Sequence, residues 1–237
     1  MATETWIFES GRADELRMVD PAHARNLLFD FDGTLADSAP LHAEAFYDVL
    51  RQERPALLSG FSYEPLKGLT TADAFRQLGI VDEGEVRKLG AKKRAQYREF
   101  VDRGRVSLLP GARELLREGA SAGYRLFLVT SGSGPTVRAA LAAMALLDVF
   151  VDVVTADDVK LGKPFPDPFL MCLQRNGLGG PESIVIEDAE SGVIAARAAN
   201  LAVVGVNNRE VEPIVDYFFP DLRKLHAAIA NRNAEVL

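Results

Sequence analysis

Short apolar runs that stop abruptly at polar residues set the rhythm of this chain. Residues 26–31, 125–130, 150–155, 183–188 and 201–206 are each too short for a helix and are bounded by glycine, serine, asparagine or acids. They read as buried strands. Between them lie stretches of helical period. A helix opened by Pro110 and Gly111 runs to about residue 122, and others cover residues 136–145, 166–176, 191–199 and 222–231. A further short run at 215–219 precedes the last helix. Strands alternating with helices imply an α/β fold in which a parallel sheet is covered on both faces.

The pattern changes between residues 36 and 108. A helix over 39–51 carries an apolar stripe of Leu41, Ala45, Phe46, Val49 and Leu50, with Asp37 or Ser38 as its cap. Helices over 71–77 and 83–101 follow, and no alternating strand is legible. This segment is too long for a simple crossover, so it reads as a helical module inserted into the sheet domain. The division is then an N-terminal extension (1–25), an α/β core (26–35 and 109–237) and a helical insertion (36–108). Residues 1–25 show no steady period beyond a short helix over 13–18, and His23 reads as a solvated loop residue.

Composition narrows the classes of partner. The 237 residues are 48% hydrophobic and 26% charged, enough for a full core. The formal charge of −7 comes without a basic block, which argues against nucleic acid and leaves room for a small anionic substrate. No apolar run is long enough to span a bilayer, and the start lacks a basic-then-apolar signal, so the expectation is a soluble, cytoplasmic chain with no membrane partner. Cys172, the lone cysteine, reads as a buried structural thiol, and His226 as a surface helix residue.

Three of the strand candidates end in groups that bear chemistry: Asp30 and Asp32, Thr130 and Ser131, and Glu187 and Asp188. A parallel sheet brings such ends to one edge, the edge where open α/β sheets bind ligands. Four converging carboxylates repel each other unless a hard cation intervenes, and Mg²⁺ beside a phosphate is the common solution. Gly33 permits close backbone approach. Thr130, Ser131 and Gly132, ahead of a helix start, make an anion cradle of hydroxyls and N–H groups. Lys163 adds a point charge on a proline-stiffened loop. Nucleophilic carboxylate, metal, cradle and lysine together describe phosphoryl transfer through an aspartyl phosphate.

These residues, in the order Asp30-Phe31-Asp32-Gly33-Thr34, Thr130, Lys163 and Glu187-Asp188, resemble the four motifs of the haloacid dehalogenase-like hydrolase superfamily across about residues 26–220. The resemblance implies a Rossmann-like parallel sheet with a helical cap inserted at 36–108, and Mg²⁺-dependent phosphatase activity. It implies that Asp30 is the nucleophile and Asp32 the acid and base. Thr130 would bind the transferring phosphoryl group, while Lys163 steadies its charge and that of Asp30. Asp30, Asp188 and the backbone carbonyl of Asp32 would ligate Mg²⁺, with Glu187 ligating directly or through water. Branches that cleave carbon–halogen bonds lack the second aspartate, so Asp32 favours phosphate esters.

Ser38, His42, Lys67, Thr70 and Thr71 lie in segments similar to the branch that holds beta-phosphoglucomutase and sugar-phosphate phosphatases. In the mutase, the residues that match His42 and Lys67 help to position the second aspartate and the sugar phosphate. An arginine that grips a second phosphate there falls near Thr71 here, which favours a monophosphate hydrolase. The implied substrate is a small phosphorylated sugar, polyol, or nucleoside or C-riboside 5′-phosphate, and the implied state is a monomer. The alternatives are a sugar-phosphate mutase, a phospho-aspartate signalling switch and a catalytically silent binding module.

Overall fold

A computed structural model of the chain describes residues 24–235. The extension before Ala24, with the helix expected over 13–18 and His23, lies outside the described residues. The core is a six-stranded parallel sheet of β1 (Asn26–Phe29), β4 (Arg125–Val129), β5 (Asp152–Val154), β6 (Ser183–Glu187), β7 (Ala202–Val206) and β8 (Tyr217–Phe219). Across the sheet they stand in the order β5-β4-β1-β6-β7-β8. Helices α4 (Ala112–Ser121), α5 (Gly134–Ala143), α6 (Asp167–Asn176), α7 (Glu190–Ala198) and α8 (Leu222–Glu235) connect and follow them.

Alternation along the strands divides the core into two layers. Leu27 and Phe29 of β1, Leu126 and Leu128 of β4, and Ile184 and Ile186 of β6 meet Leu115 and Leu116 of α4, Val137 of α5 and Leu225 of α8. Leu28, Phe127, Val129, Val185 and Val203 point the other way, onto Phe169 and Cys172 of α6 and Val193 of α7. Both faces are dry, which is why the strands read as unbroken apolar runs rather than alternating ones. The Cys172 thiol is buried, as expected, and burial pushes its pKa up to about 12. From β1 the chain fills the sheet toward β5 and then returns to fill it toward β8. That reversal places a crevice at the carboxyl ends of β1, β4 and β6.

The segment after β1 forms α1 (Ala39–Glu53), α2 (Thr71–Gln77) and α3 (Glu83–Asp102), close to the expected helices. They share a core of their own, built from Phe46, Val49, Leu50, Leu66, Phe75, Ile80, Val86 and Leu89. Helix α3 also packs on α5, which seats the helical unit over the sheet's carboxyl edge. Ser38 occupies the N-cap of α1 but its side chain makes no cap bond.

One expectation is corrected here. The insertion is not free of strands: β2 (Ala36–Asp37) and β3 (Ser107–Leu108) form an antiparallel pair where the chain leaves and rejoins the core. Two residues per strand are too few to show a period, and the pairing depends on a return some seventy positions later. Among the described residues no helix is long and apolar enough to cross a membrane.

Phe75 is fully buried at the centre of the helical unit. Phe75→Ala is expected to cost about 3–5 kcal/mol of unfolding free energy, read as a lowered urea midpoint. A loss below about 1 kcal/mol would show that this unit does not depend on its own packing.

Candidate active site

Asp30 follows β1 directly, and its N–H extends the ladder by donating to the carbonyl of Ile186 on β6 (3.0 Å). This fixes its carboxylate at the sheet edge. Lys163, from the loop before α6, is completely buried beneath it. Its ammonium donates to Asp30 Oδ1 (2.7 Å), Glu187 Oε1 (2.7 Å) and the carbonyl of Val129 (2.9 Å). Three protons meet three acceptors, so the lysine is saturated. Glu187 Oε2 accepts from the N–H groups of Asp188 (2.9 Å) and Ala189 (3.0 Å), so both of its oxygens are engaged. A Cβ at Gly192 would stand 1.7 Å from Glu187 Oε1, so only glycine lets α7 start this close to the carboxylate.

Asp188 completes the group. Its Oδ1 accepts the Thr34 hydroxyl proton at 2.8 Å. Gly33 turns beside it with φ of 89°, and a Cβ there would lie 2.2 Å from Asp188 Oδ2. The close approach and the left-handed backbone both require glycine. Asn207 donates to the carbonyls of Gly33 (2.9 Å) and Thr34 (3.0 Å), and Asn208 to that of Asp188 (3.0 Å). Burial raises the pKa of Asp30 well above the carboxylate range, against the pull of Lys163, and raises Asp188 too. Burial works to lower the Lys163 pKa, but Asp30 and Glu187 outweigh it and hold the ammonium above its ordinary value.

Asp32 is held by different groups. His42 Nε2 lies 3.0 Å from its Oδ1, and the Tyr97 hydroxyl donates to the same oxygen at 3.4 Å. The His42 ring stacks on Tyr97 with centroids 3.9 Å apart, and Lys93 Nζ lies 2.6 Å from Nδ1. The ionised Asp32 carboxylate only accepts, so His42 carries a proton on Nε2, toward Asp32, and in its neutral form accepts from Lys93 on Nδ1. Burial would raise the Asp32 pKa, but His42 and Lys93 bring it down to about 2. Burial and Lys93 hold His42 below its ordinary value, and burial lowers Lys93 to about 7.

Lys93 and Tyr97 were not singled out in the sequence. The signal was present, because both fall on the buried stripe of α3 (Val86, Leu89, Gly90, Lys93, Tyr97, Phe100), where a lysine is out of place.

The remaining expected residues divide. Thr130 is buried at the end of β4, and its Oγ1 accepts the N–H of Gly132 (3.1 Å), leaving the hydroxyl proton to donate. Ser131 spends its proton on the carbonyl of Gly68 (2.7 Å), and Arg98 donates to the carbonyl of Pro135 (3.2 Å), so the helical unit is fastened to the core. Lys67 pairs with Glu64 (2.6 Å) and makes no bond to Asp32; the lysine behind Asp32 is Lys93. The positive charge of Lys67 is still felt at Asp188, whose pKa it lowers. Thr70 caps α2 and gives its proton to Asp73 (2.6 Å), while Thr71 lines the cavity that reaches Asp32. Ser38 is buried beside Asp32 and helps to lower its pKa, although among the described residues its Oγ makes no well-formed hydrogen bond. His226 is half-buried on α8.

The family model of the haloacid dehalogenase-like hydrolases matches residues 27–206. The chain belongs to this family. It is 34% identical to hexitol phosphatase A of Escherichia coli (strain K12), over 77% of this chain and 83% of that protein. It is also 34% identical to the fructose-1-phosphate phosphatase YqaB of the same organism, over 76% of this chain and 95% of that one. The crystal structure of beta-phosphoglucomutase from Clostridium difficile shares the fold, with a TM-score of 0.75, 24% identity, and coverage of 90% of this chain and 98% of that one. The relatives place this haloacid dehalogenase-like hydrolase among the enzymes that cleave phosphoric monoesters.

The family implies Mg²⁺, and the residues present fit it. Oxygens of Asp30, Glu187 and Asp188 lie within 4.8 Å of one another, all buried. Three carboxylates face one ammonium, which leaves buried negative charge for a hard dication to balance. Oδ2 of Asp30 and of Asp188 makes no hydrogen bond to the described residues, whereas both oxygens of Glu187 are committed. Asp32's carboxylate stands outside the cluster, with His42.

Lys163→Met would leave Asp30 and Glu187 buried without their cation. The expected cost is about 3–5 kcal/mol at neutral pH, measured by urea unfolding with a chelator present. The folded pKa of Asp30 lies above its unfolded value of 3.8, so its carboxyl weakens the fold as pH rises between them. The penalty of the substitution should therefore shrink as pH falls toward 4. A penalty independent of pH would contradict this assignment.

Proposed function

We propose that this hydrolase is a Mg²⁺-dependent phosphatase that cleaves a small phosphate monoester through an aspartyl phosphate on Asp30. The substrate class is a sugar, polyol, or nucleoside or C-riboside 5′-phosphate. One observation carries the reading: two neighbouring carboxylates are held by separate networks. Lys163 holds Asp30 Oδ1 and leaves Oδ2 without a hydrogen bond, while His42 and Tyr97 hold Asp32.

In the first step Asp30 Oδ2 attacks phosphorus and the ester P–O bond breaks. Asp32 is ionised in the free enzyme; the approaching phosphoryl anion raises its proton affinity, so it takes up one proton from solvent as the substrate binds and gives that proton to the leaving oxygen. In the second step Asp32 takes a proton from water as that water attacks phosphorus. The bond between Asp30 and phosphorus breaks, and as phosphate leaves Asp32 returns its proton to solvent, so both carboxyl groups regain their free-enzyme forms. The hydroxyl of Thr130 would donate to the transferring group. Lys163, already saturated, acts by keeping Asp30 oriented and its charge balanced. Mg²⁺, held by Asp30 and Asp188 with the carbonyl of Asp32, would offset charge on the phosphoryl oxygens. The helical unit is the cap, and its contacts through Gly68 and Arg98 exclude water from a closed site.

The test is release of inorganic phosphate from sugar, polyol and nucleoside monophosphates, with Mg²⁺ and with chelator. Release that requires the metal and falls by at least about 10³-fold in Asp30→Asn is expected. Asp32→Asn should lose about 10²–10⁴ in kcat. Isomerised sugar phosphate in place of released phosphate would overturn the hydrolase in favour of a mutase. A stable phosphoprotein without turnover would favour a signalling switch.

A further inference from the structure

The acidic loops follow β1 and β6, yet two of the side chains that tie them together come from a third strand. β7 stops at Val206, and Asn207 and Asn208 come next. In the sheet β7 borders β6, which separates it from β1. The Asn207 side chain nevertheless reaches the turn after Asp32, where its Nδ2 donates to the carbonyls of Gly33 (2.9 Å) and Thr34 (3.0 Å). Asn208 Nδ2 donates to the carbonyl of Asp188 (3.0 Å), while its Oδ1 accepts the N–H of Glu210 (3.0 Å). Thr34 completes the circuit by giving its hydroxyl proton to Asp188 Oδ1 (2.8 Å).

The backbone bends sharply to allow this. Asn207 has a φ of 63°, and the N–H of Asn208 donates to the carbonyl of Val206 two residues back (2.7 Å). A γ-turn of positive φ is rare and strained, and asparagine is among the few side chains that tolerate the left-handed region. Strain of this kind persists only where surrounding contacts hold it, and it gathers at working sites. Here it aims two consecutive amides at two different loops.

The chemistry of the donors matters as much as their reach. Asp30, Glu187 and Asp188 repel one another, so the loops that carry them tend to part unless something ties them. A lysine or arginine after β7 would bring a charge that competes with a metal ion, and an aspartate would add a further carboxylate. A neutral amide does neither. It binds backbone carbonyls and leaves Asp188 Oδ2 without a hydrogen bond to the described residues.

We propose that Asn207 and Asn208 are positioning residues for the metal site, holding the turn after Asp32 and the loop of Asp188 at ligand spacing before the ion arrives. The affinity for Mg²⁺ is then set in part from the end of β7, by residues that do not touch the ion. This rests on the Mg²⁺-dependent phosphatase reading.

Metal binding without substrate tests it. Mn²⁺ is titrated into each protein, the free ion is followed by its electron paramagnetic resonance signal, and Mg²⁺ is added as competitor. Asn207→Gly accepts the left-handed backbone and removes the amide, and Asn208→Ser keeps a cap for Glu210 but loses the Nδ2 donor. Asn176→Ala is the control, because it removes an amide bonded to Asp152 (2.8 Å) at the start of β5, the opposite edge of the sheet.

Each of the first two variants is expected to raise the Kd for both ions about tenfold or more, and the control to leave it unchanged. In phosphate release the Mg²⁺ concentration for half-maximal rate should rise by the same factor, with kcat at saturating Mg²⁺ close to that of the wild type. Circular dichroism establishes which variants fold, and either one alone carries the comparison. A wild type that binds the ions with folded variants of unchanged Kd, or a Kd raised equally by Asn176→Ala, would overturn the assignment and leave the phosphatase intact. A wild type that binds neither ion would overturn the Mg²⁺ reading, and this inference with it.

Discussion

Burying like charges at the end of a sheet is the constraint to which the rest of the molecule answers. Asp30, Glu187 and Asp188 come to one place because β1 and β6 are neighbours in a parallel sheet and their carboxyl ends coincide. Taken out of water, such a group is stable only if each carboxylate is matched by a cation, a proton or a donor. Lys163 supplies one cation from below and uses all three of its protons to do so. Backbone N–H groups and the Thr34 hydroxyl supply donors to the carboxylates, while the asparagines after β7 hold the surrounding backbone through the carbonyls of Gly33, Thr34 and Asp188. What remains is a deficit of positive charge facing the crevice, and that deficit suits a divalent ion and the chemistry of phosphate.

The same constraint explains why the two aspartates differ in character although only Phe31 separates them. Asp30 belongs to the crowded cluster, where burial works against its charged form. Asp32 leaves that cluster for a network supplied by the inserted helices, where His42, Lys93 and Tyr97 keep it ionised. In the proposed mechanism, a nucleophile and a proton carrier thus arise from two aspartates one residue apart through their surroundings. The helical unit is therefore part of the site as well as its cover, since Asp32 without α1 and α3 would lose the groups that hold it.

Much of this was legible in the chain because the fold writes it locally. Apolar runs that end in acids or hydroxyls mark strand ends, and the strand ends of a parallel sheet meet, so Asp30, Asp32, Thr130 and Asp188 could be gathered before any coordinates. Glu187 was legible as an acid at the same edge, but not the commitment of both its oxygens to Lys163 and the following loop. Lys93 and Tyr97 escaped notice because their role depends on how α3 lies across the sheet edge, some sixty residues from Asp32 in the chain. The pair β2 and β3 was hidden by its brevity. Lys67 shows the opposite limit: a lysine in a suggestive segment whose side chain turns to Glu64.

The central claim is that Asp30 takes the phosphoryl group before water does. The stereochemical course at phosphorus tests it most directly, using a phosphorothioate ester made chiral with sulfur and one heavy oxygen isotope and hydrolysed in water that carries another, so that the released thiophosphate has four distinguishable substituents. Two successive in-line displacements, on Asp30 and then on water, predict overall retention of configuration. Inversion would mean a single displacement by water, and would contradict the nucleophilic role of Asp30.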